Sequence, residues 1–317
     1  MNRYSKILSL VLVLALALSF AGCKSDAPAD DTAAQDTSVT VTDMAGREVT
    51  LAAPAKKLVA LTASDCEILY AIGAGDTLVG RGEYCDYPDE VLNVQAVQSG
   101  NETNIEEIIA LAPDAVVMAT MAQTEDQVKA LEDAGIPVIV SDAQDIEGVY
   151  TAIAMLGAVT GKDAEAAALV SDMKTSFDKI TADAAAAKTA DKTVYFEVSP
   201  LEYGLWTAGS GTFMDEIAKM LGLTNAFADV NGWGQISEEQ VIERDPDYIV
   251  TIAMYYGEGQ TPVDEIASRD GWQGLKAVVN GDIFNADSNE ISRPGPRLVD
   301  AAQALFDFVY NEQAAAA

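Results

Sequence analysis

The longest regular pattern of apolar and polar positions in the chain runs from Asp163 to Lys188. Its apolar residues recur in steps of three or four, it contains no Gly or Pro, and it is rich in Ala. The pattern predicts one amphipathic helix that, at 1.5 Å per residue, is about 39 Å long. Such a length favours a strut between two lobes, with a long helix inside one domain as the alternative. The predicted apolar face comprises Ala166, Leu169, Met173, Phe177, Ile180, Ala184 and Ala187.

Short apolar strands alternate with helical segments on both sides of this helix, in the same order each time. The alternation predicts an α/β fold with parallel sheets covered by helices on both faces. We therefore expect an N-terminal lobe over residues 39–160, an interlobe helix over 161–190 and a C-terminal lobe over 191–317. The predicted strands are 57–61, 78–79, 115–119, 138–140, 193–198, 226–227, 248–252 and 283–284. The predicted helices are 66–72, 105–111, 125–134, 213–221 and 238–243, with helical turns over 263–279.

An internal repeat supports two similar lobes. The segment Asn104–Asp114 matches Ser237–Asp247: each opens with a helix-capping residue, carries Glu or Gln three places later and ends in Pro-Asp. The spacing predicts a capping box at the start of each helix and a stop ahead of a buried strand.

Charge and composition exclude several functions. The 317 residues include 19 basic and 50 acidic ones, so nucleic acid is not expected as a partner. The chain contains no His, which is the commonest zinc ligand and general base. We therefore expect no cofactor and no resident metal, and an exported enzyme is the weaker alternative to a binding protein.

The N-terminus predicts export and lipidation. Basic residues precede an apolar run, and Phe20-Ala21-Gly22-Cys23 resembles a bacterial lipobox. We expect a signal peptide over residues 1–22, a lipidated Cys23 and a flexible tether over 23–38. The protein would then be extracytoplasmic and lipid-anchored to the cell membrane. A plain secretory signal with an incidental Cys is the alternative.

Several motifs occur in order along the chain: Asp43–Arg47, Glu67–Gly75, Val79–Pro88, the two Pro-Asp helices and Arg293-Pro-Gly-Pro-Arg297. Together they resemble the substrate-binding lipoproteins of ABC importers for ferric siderophores, haem and cobalamin. The resemblance runs from about residue 39 to 310. It implies two Rossmann-like lobes joined by a single long helix, with a metal chelate held in the cleft between them. It further implies a monomer that delivers its ligand to an ABC permease dimer with its ATPase.

Ligand contacts are expected from loops at the carboxyl ends of the strands. Aromatic rings offer broad apolar contact to a chelate, and Arg offers paired hydrogen bonds to its oxygens. Arg297 has a structural alternative, an ion pair at the start of the final helix, and Tyr87 and Phe227 are expected in the core. The candidates are Ser64, Asp65, Arg81, Tyr84, Met121, Glu202, Tyr203, Trp206, Trp233, Tyr255, Tyr256, Arg293 and Arg297.

The resemblance leaves the ligand open among a ferric siderophore, cobalamin and haem. Trp233 and Tyr84 match ligand-contacting aromatics of cobalamin-binding relatives, whereas Gly100 or Asn101 occupies the place of a third. The few basic candidates argue against highly anionic catecholates. Haem would need a Tyr as axial ligand. A sensor lipoprotein that binds the ligand but no permease remains possible.

Glu106 and Glu239 are equivalent in the internal repeat, each two places after a helix cap. In the family, glutamates at these positions meet arginines of the permease subunits. The resemblance therefore implies that this pair is the permease docking site, and a favourable interaction with the helix dipole is the alternative.

Two smaller features leave alternatives open. Cys66 and Cys85 lie near the ends of the first two strands, where a disulfide is possible in an exported protein. The segment Gly209-Ser-Gly211 precedes a helix and offers either an anion site or, more simply, a tight turn.

Overall fold

The computed structural model of the protein describes residues 37–100, 102–120, 125–187 and 191–312. The predicted signal peptide, Cys23 and nearly all of the tether lie outside the described residues, as do Asn101, Met121 and Lys188. Within the described ranges, no helix is long and apolar enough to cross a membrane.

The first half of the chain builds a five-stranded parallel sheet with the order β5-β4-β3-β6-β7. An antiparallel hairpin precedes it, formed by β1 (Val39–Thr42) and β2 (Glu48–Leu51). The sheet strands are β3 (Leu58–Ala60), β4 (Leu78–Gly82), β5 (Ala96–Val97), β6 (Ala115–Met118) and β7 (Val138–Val140). The helices are α1 (Ala63–Ala71), α2 (Ile105–Leu111), α3 (Glu125–Asp133) and α4 (Ile146–Thr160).

The second half builds a six-stranded sheet with the order β11-β9-β8-β12-β13, in which β10 also pairs with β8. Its strands are β8 (Thr193–Ser199), β9 (Trp206–Ala208), β10 (Thr224–Asn225), β11 (Trp233–Gln235), β12 (Tyr248–Thr251) and β13 (Ile283–Asn285). The long helix α5 (Asp163–Ala187) precedes them. The remaining helices are α6 (Phe213–Met220), α7 (Glu238–Arg244), α8 (Pro262–Ser268), α9 (Lys276–Asn280), α10 (Ser288–Ile291) and α11 (Leu298–Phe306).

The predicted α/β fold is confirmed, but the second sheet is mixed and not wholly parallel. Strands β9 and β11 run antiparallel to their neighbours. The connection from β8 to β9 holds only one short turn, Leu201–Tyr203, and a parallel crossover needs a dozen or more residues. The short connection therefore forces the antiparallel pairing.

Helix α5 joins the two sheets and packs against helices of both halves. It contacts α4 on one side and α6 and α11 on the other. Met173, Phe177 and Ile180 are buried on its predicted apolar face, as are Ala166 and Ala184. One apolar cluster continues from the first sheet through this face into the second. Leu169 is only partly buried, and Ala187 is exposed where the helix ends, so the prediction is wrong there.

The repeated helices α2 and α7 end alike but begin differently. A left-handed residue ends each, Ala112 with φ 48° and Asp245 with φ 44°. The Ser237 cap forms a complete capping box, whereas the Asn104 cap receives only the backbone N–H of Glu107. The prediction of a first capping box is wrong, because the Glu107 carboxylate accepts a hydrogen bond from the Gln95 amide instead, at 2.7 Å.

Three further local predictions differ from the structure. The strand predicted at 226–227 lies at Thr224–Asn225, because there the backbone reaches β8. Phe227 is buried as predicted, whereas Tyr87 is 46 % exposed and the prediction that it lies in the core is wrong. Its ring lies 4.2 Å from the Arg297 guanidinium, which keeps it at the surface. The helical turns predicted over 263–279 form two helices, α8 and α9, and helix α4 was not predicted.

Candidate functional site

A cavity of about 700 Å³ lies between the two halves, at the carboxyl ends of their strands. Loops after β3, β6 and β7 contribute its first wall, and the ends of β8 and β12 contribute the second. This is the position expected for a ligand in open α/β sheets. The lining residues are Thr62, Ala63, Ser64, Ala119, Asp142, Ala143, Gln144, Val198, Ser199, Trp206, Phe213, Met214, Trp233, Ile252, Ser292, Arg293 and Pro294.

Aromatic side chains of the second half dominate the apolar part of this lining. Trp233 on β11 packs against Phe213, with 5.3 Å between ring centroids. Its indole N–H donates a hydrogen bond to Oε1 of Gln144 in the first half, at 3.0 Å. Trp206 on the neighbouring strand β9 is 40 % exposed and faces the same cavity. The two tryptophans predicted as ligand contacts therefore lie together at one wall.

The predicted arginines belong to an ionic cluster that joins the two halves. Arg293 donates to Oε1 of Glu67 at 3.1 Å and to Oδ1 of Asp86 at 2.6 Å. Arg297 forms a paired contact with Glu67, with its Nε 2.9 Å from Oε2 and its Nη2 2.7 Å from Oε1. We call Glu67, Asp86, Arg293 and Arg297 the ionic quartet. Arg297 does not line the cavity, and its contacts match the structural alternative, whereas Arg293 both lines the cavity and pairs with acids.

Asp65 lies directly behind the cavity wall and is fully buried on helix α1. Burial raises the pKa of Asp65 to about 7, and the neighbouring Ser141 and Thr62 hydroxyls offset only part of this cost. Neither carboxylate oxygen makes a well-aligned hydrogen bond within the described part of the chain. Asp65 is therefore placed to support the wall that Ser64 lines, and it does not itself reach the cavity.

Other predicted site residues do not line the cavity, although the Tyr84 carbonyl accepts a hydrogen bond from the lining residue Arg293 at 3.4 Å. Tyr84 and Tyr203 are 73 % and 76 % exposed, and Glu202 beside Tyr203 is exposed as well. Tyr255 and Tyr256 line a separate surface depression together with residues 285–289. Arg81 is buried in β4, where its Nη1 donates to the carbonyl groups of Gly82 and Glu83. Met121 lies outside the described residues.

Sequence reasoning missed three residues that shape the site. Asp142 and Gln144 follow the buried strand β7, a position that should have nominated them by the rule used for the other loops. Phe213 was assigned only to the start of a helix, where nothing in the sequence shows that its ring turns toward Trp233.

The structure also shows the state of Cys66 and Cys85 and the conformation of the segment Gly209-Ser-Gly211. Cys66 and Cys85 are free thiols and both are buried, so no disulfide joins them in this structure. Their contact and their burial raise the pKa of the Cys66 thiol well above its usual value. In the segment Gly209-Ser-Gly211, Gly211 has a left-handed φ of 80° and the Thr212 hydroxyl donates to the Gly209 carbonyl at 2.8 Å, which indicates a tight turn. Among the described residues, no group of His, Cys, Asp and Glu is arranged to hold a metal ion.

Glu106 and Glu239 are both exposed in the first turns of helices α2 and α7. The Ser237 side chain and the backbone at the helix start lower the pKa of Glu239, which keeps it charged. The equivalent positions therefore present a carboxylate from each half of the chain, as the repeat predicts.

Comparison with known proteins assigns the family. Residues 58–290 match the family model described as periplasmic binding protein. The chain is 35 % identical over 308 residues to an uncharacterized ABC transporter substrate-binding lipoprotein, YvrC of Bacillus subtilis, covering 95 % of this chain and 96 % of the relative. It is 28 % identical to a cobalamin-binding protein of Halobacterium salinarum, covering 86 % of this chain and 74 % of that protein.

A solved structure agrees with both matches. A possible iron-binding, periplasmic solute-binding protein from Staphylococcus epidermidis superposes with a TM-score of 0.70 at 31 % identity, covering 81 % of this chain and 99 % of the other. The resemblance carried by the sequence motifs is thereby confirmed: the chain belongs to the periplasmic binding protein family.

Proposed function

We propose that the protein is an extracytoplasmic substrate-binding lipoprotein of an ABC importer. It captures a metal chelate, a ferric siderophore or cobalamin, in the cleft and delivers it to a permease dimer with its ATPase. The observation that carries this proposal is the cavity of about 700 Å³, which both halves line and which two tryptophans flank. A mostly apolar cleft with a few polar groups suits a large organic ligand. The family match supports a role in transport over one in catalysis.

The relatives support a metal chelate as the ligand. The Halobacterium relative binds cobalamin by name, and the Staphylococcus structure is of a possible iron-binding protein. Cobalamin encloses its metal in an organic shell, and we propose the same for an iron ligand. The cavity wall offers apolar and amide groups to such a shell.

Haem is the less favoured alternative. Its iron would need an axial Tyr here, since the chain has no His. The candidate tyrosines Tyr84, Tyr203, Tyr255 and Tyr256 do not line the cavity in the described structure. This favours a chelate whose metal is already fully coordinated.

Anchoring through Cys23 rests on the lipobox-like sequence and on the lipoprotein relative in Bacillus subtilis. We propose a monomer tethered outside the cell membrane, with residues 23–38 as the tether. Labelling with a radioactive fatty acid tests the anchor: Cys23→Ala should lose the label.

The ligand is tested by mixing the protein with a ferric siderophore, cyanocobalamin or haemin and recording absorption spectra and thermal unfolding. A ligand that binds only the folded state raises the unfolding temperature. We expect a ferric siderophore or cyanocobalamin to give the larger shift. No shift with any of the three would contradict the proposal.

Permease docking is proposed for Glu106 and Glu239. Two exposed like charges from equivalent helices suit a two-fold partner, steering its approach and fixing its register. The double variant Glu106→Arg with Glu239→Arg should keep ligand affinity and lose permease binding and uptake. A control, Asp172→Arg with Asp178→Arg, makes the same charge change at exposed positions on helix α5 and should retain uptake. Uptake that persists in the first variant would favour the sensor lipoprotein.

A further inference from the structure

The cation nearest the cavity is already neutralised by the protein itself. Arg293 is the one Arg or Lys among the cavity-lining residues that the structure describes. Its guanidinium contacts two carboxylates, Glu67 at 3.1 Å and Asp86 at 2.6 Å. A bound ligand therefore does not meet an unpaired positive charge at this wall.

The ionic quartet balances two cations with two anions. Glu67 is the central acid, with a side chain only 2 % exposed that meets both Arg293 and Arg297. Arg297 also stacks on the Tyr87 ring, which fixes its guanidinium plane. Burial alone would raise the pKa of Asp86, but the hydrogen bond and charge of Arg293 outweigh burial and lower it. The quartet thus pairs two guanidinium groups with two carboxylates and is close to neutral in total.

A further acid turns the charge balance of the cleft negative. Asp142 lines the cavity, and its carboxylate accepts hydrogen bonds from the Thr120 hydroxyl and the Gln144 amide. Both donors are uncharged, and no ion pair to Asp142 occurs in the described part of the chain. An anionic ligand would meet Asp142 directly and would compete with Asp86 for Arg293.

We propose that Asp86 and Glu67 determine specificity by charge, so that the cleft accepts a chelate with no net negative charge and rejects anionic chelates. The inference rests on the proposed function. Rejection by an opposing charge is an effective route to specificity, because like charges brought together in an interface are strongly unfavourable. The two acids occupy Arg293, which would otherwise recruit a ligand carboxylate or catecholate.

The experiment measures affinity by titration calorimetry for two iron probes that differ in charge. One is an uncharged ferric trihydroxamate and the other is a strongly anionic ferric tricatecholate. Cyanocobalamin, which is also uncharged, serves as a third probe. We expect the wild-type protein to prefer the uncharged probes. Asp86→Asn should raise the affinity ratio of the tricatecholate to the best uncharged probe about tenfold, a change of about 1.4 kcal/mol.

Two further variants separate local from general effects of charge. Asp142→Asn removes an acid that holds no cation, so it leaves no buried charge unpaired, and it should shift the ratio in the same direction. Asp172→Asn makes the same charge change on the exposed side of helix α5 and should leave the ratio within about twofold.

The outcomes distinguish this inference from the proposed function. No binding of any probe by the wild-type protein overturns the proposed function and the inference with it. A wild-type preference for the tricatecholate overturns the inference alone. So does an unchanged affinity ratio in Asp86→Asn and Asp142→Asn, provided that circular dichroism shows both variants folded.

Discussion

Trp233 offers the sharpest test of the cleft, because the structure shows how much of its surface remains for a ligand. The residue is half-buried: one side of its ring packs on Phe213 and its N–H is held by Gln144. A Trp side chain buries about 150–250 Å² when fully covered. At most about a third of that area, roughly 50–80 Å², is then left for the ligand, which at about 25 cal/mol per Å² corresponds to about 1–2 kcal/mol.

We expect Trp233→Ala to weaken binding by about 1–3 kcal/mol, roughly ten- to a hundredfold. The lower end allows for the cost of ordering the ligand against the ring. The fold should survive, because the variant loses one aromatic pair worth about 1 kcal/mol and one hydrogen bond at the surface. Calorimetric titration with the chelate that shifts thermal unfolding most would measure the loss.

Trp233→Phe is the matched control, because it keeps an aromatic ring at this wall while it removes the five-membered part of the indole with the N–H that donates to Gln144. We expect it to bind within about threefold of the wild-type protein, since ring area carries the contact. Unchanged affinity in a folded Trp233→Ala variant would show that the ligand does not touch this wall, and would move the site away from β11.

Two further predictions concern stability. Phe177→Ala should lower the free energy of unfolding in urea by about 3–5 kcal/mol, because the side chain is buried in the apolar cluster that helix α5 shares with both halves. Thr175→Ala, on the exposed side of the same helix, should change that free energy little. Equal stabilities of the two variants would contradict the role of the apolar face. Burial raises the pKa of Asp65 to about 7, so the folded protein retains a proton that the unfolded chain releases above about pH 4. The free energy of unfolding should therefore fall by up to about 4 kcal/mol as the pH rises from about 4 to 7. Asp65→Asn should remove this part of the difference between urea unfolding near pH 5 and near pH 8, and an unchanged difference would contradict the raised pKa.

The sequence predicted features that short stretches of chain determine. The period of the apolar positions located helix α5, and the Pro-Asp signals located α2 and α7. In both repeats the Asp after Pro accepts hydrogen bonds from the backbone at or just before the first strand of its sheet: Asp114 from Lys56 and Lys57, and Asp247 from Thr193. The equal spacing from helix cap to Pro-Asp in the two repeats therefore reflects the same contact between an Asp and the first strand of each sheet.

Errors arose where distant contacts override local pattern. Helix α4 is apolar around much of its circumference because the hairpin, α1 and α5 all cover it, so its period was hidden. Tyr87 was assigned to the core, but the residue is 46 % exposed and its ring lies 4.2 Å from the Arg297 guanidinium. Residue type and spacing carry no information about such a partner.

Distant contacts also explain why the residues that line the cavity were easier to predict from the sequence than the net charge at its wall. Ser64, Trp206, Trp233 and Arg293 follow from strand ends, a rule that needs only the order of elements. The charge that a ligand meets depends instead on Glu67, which is 230 residues from Arg297 and lies further along helix α1 than the residues that the end of β3 marks. Two motifs quoted separately, Glu67–Gly75 and Arg293–Arg297, are thus halves of one contact between the lobes. Because this contact uses up the positive charge of both arginines, counting basic residues near the cleft overstates its attraction for anions.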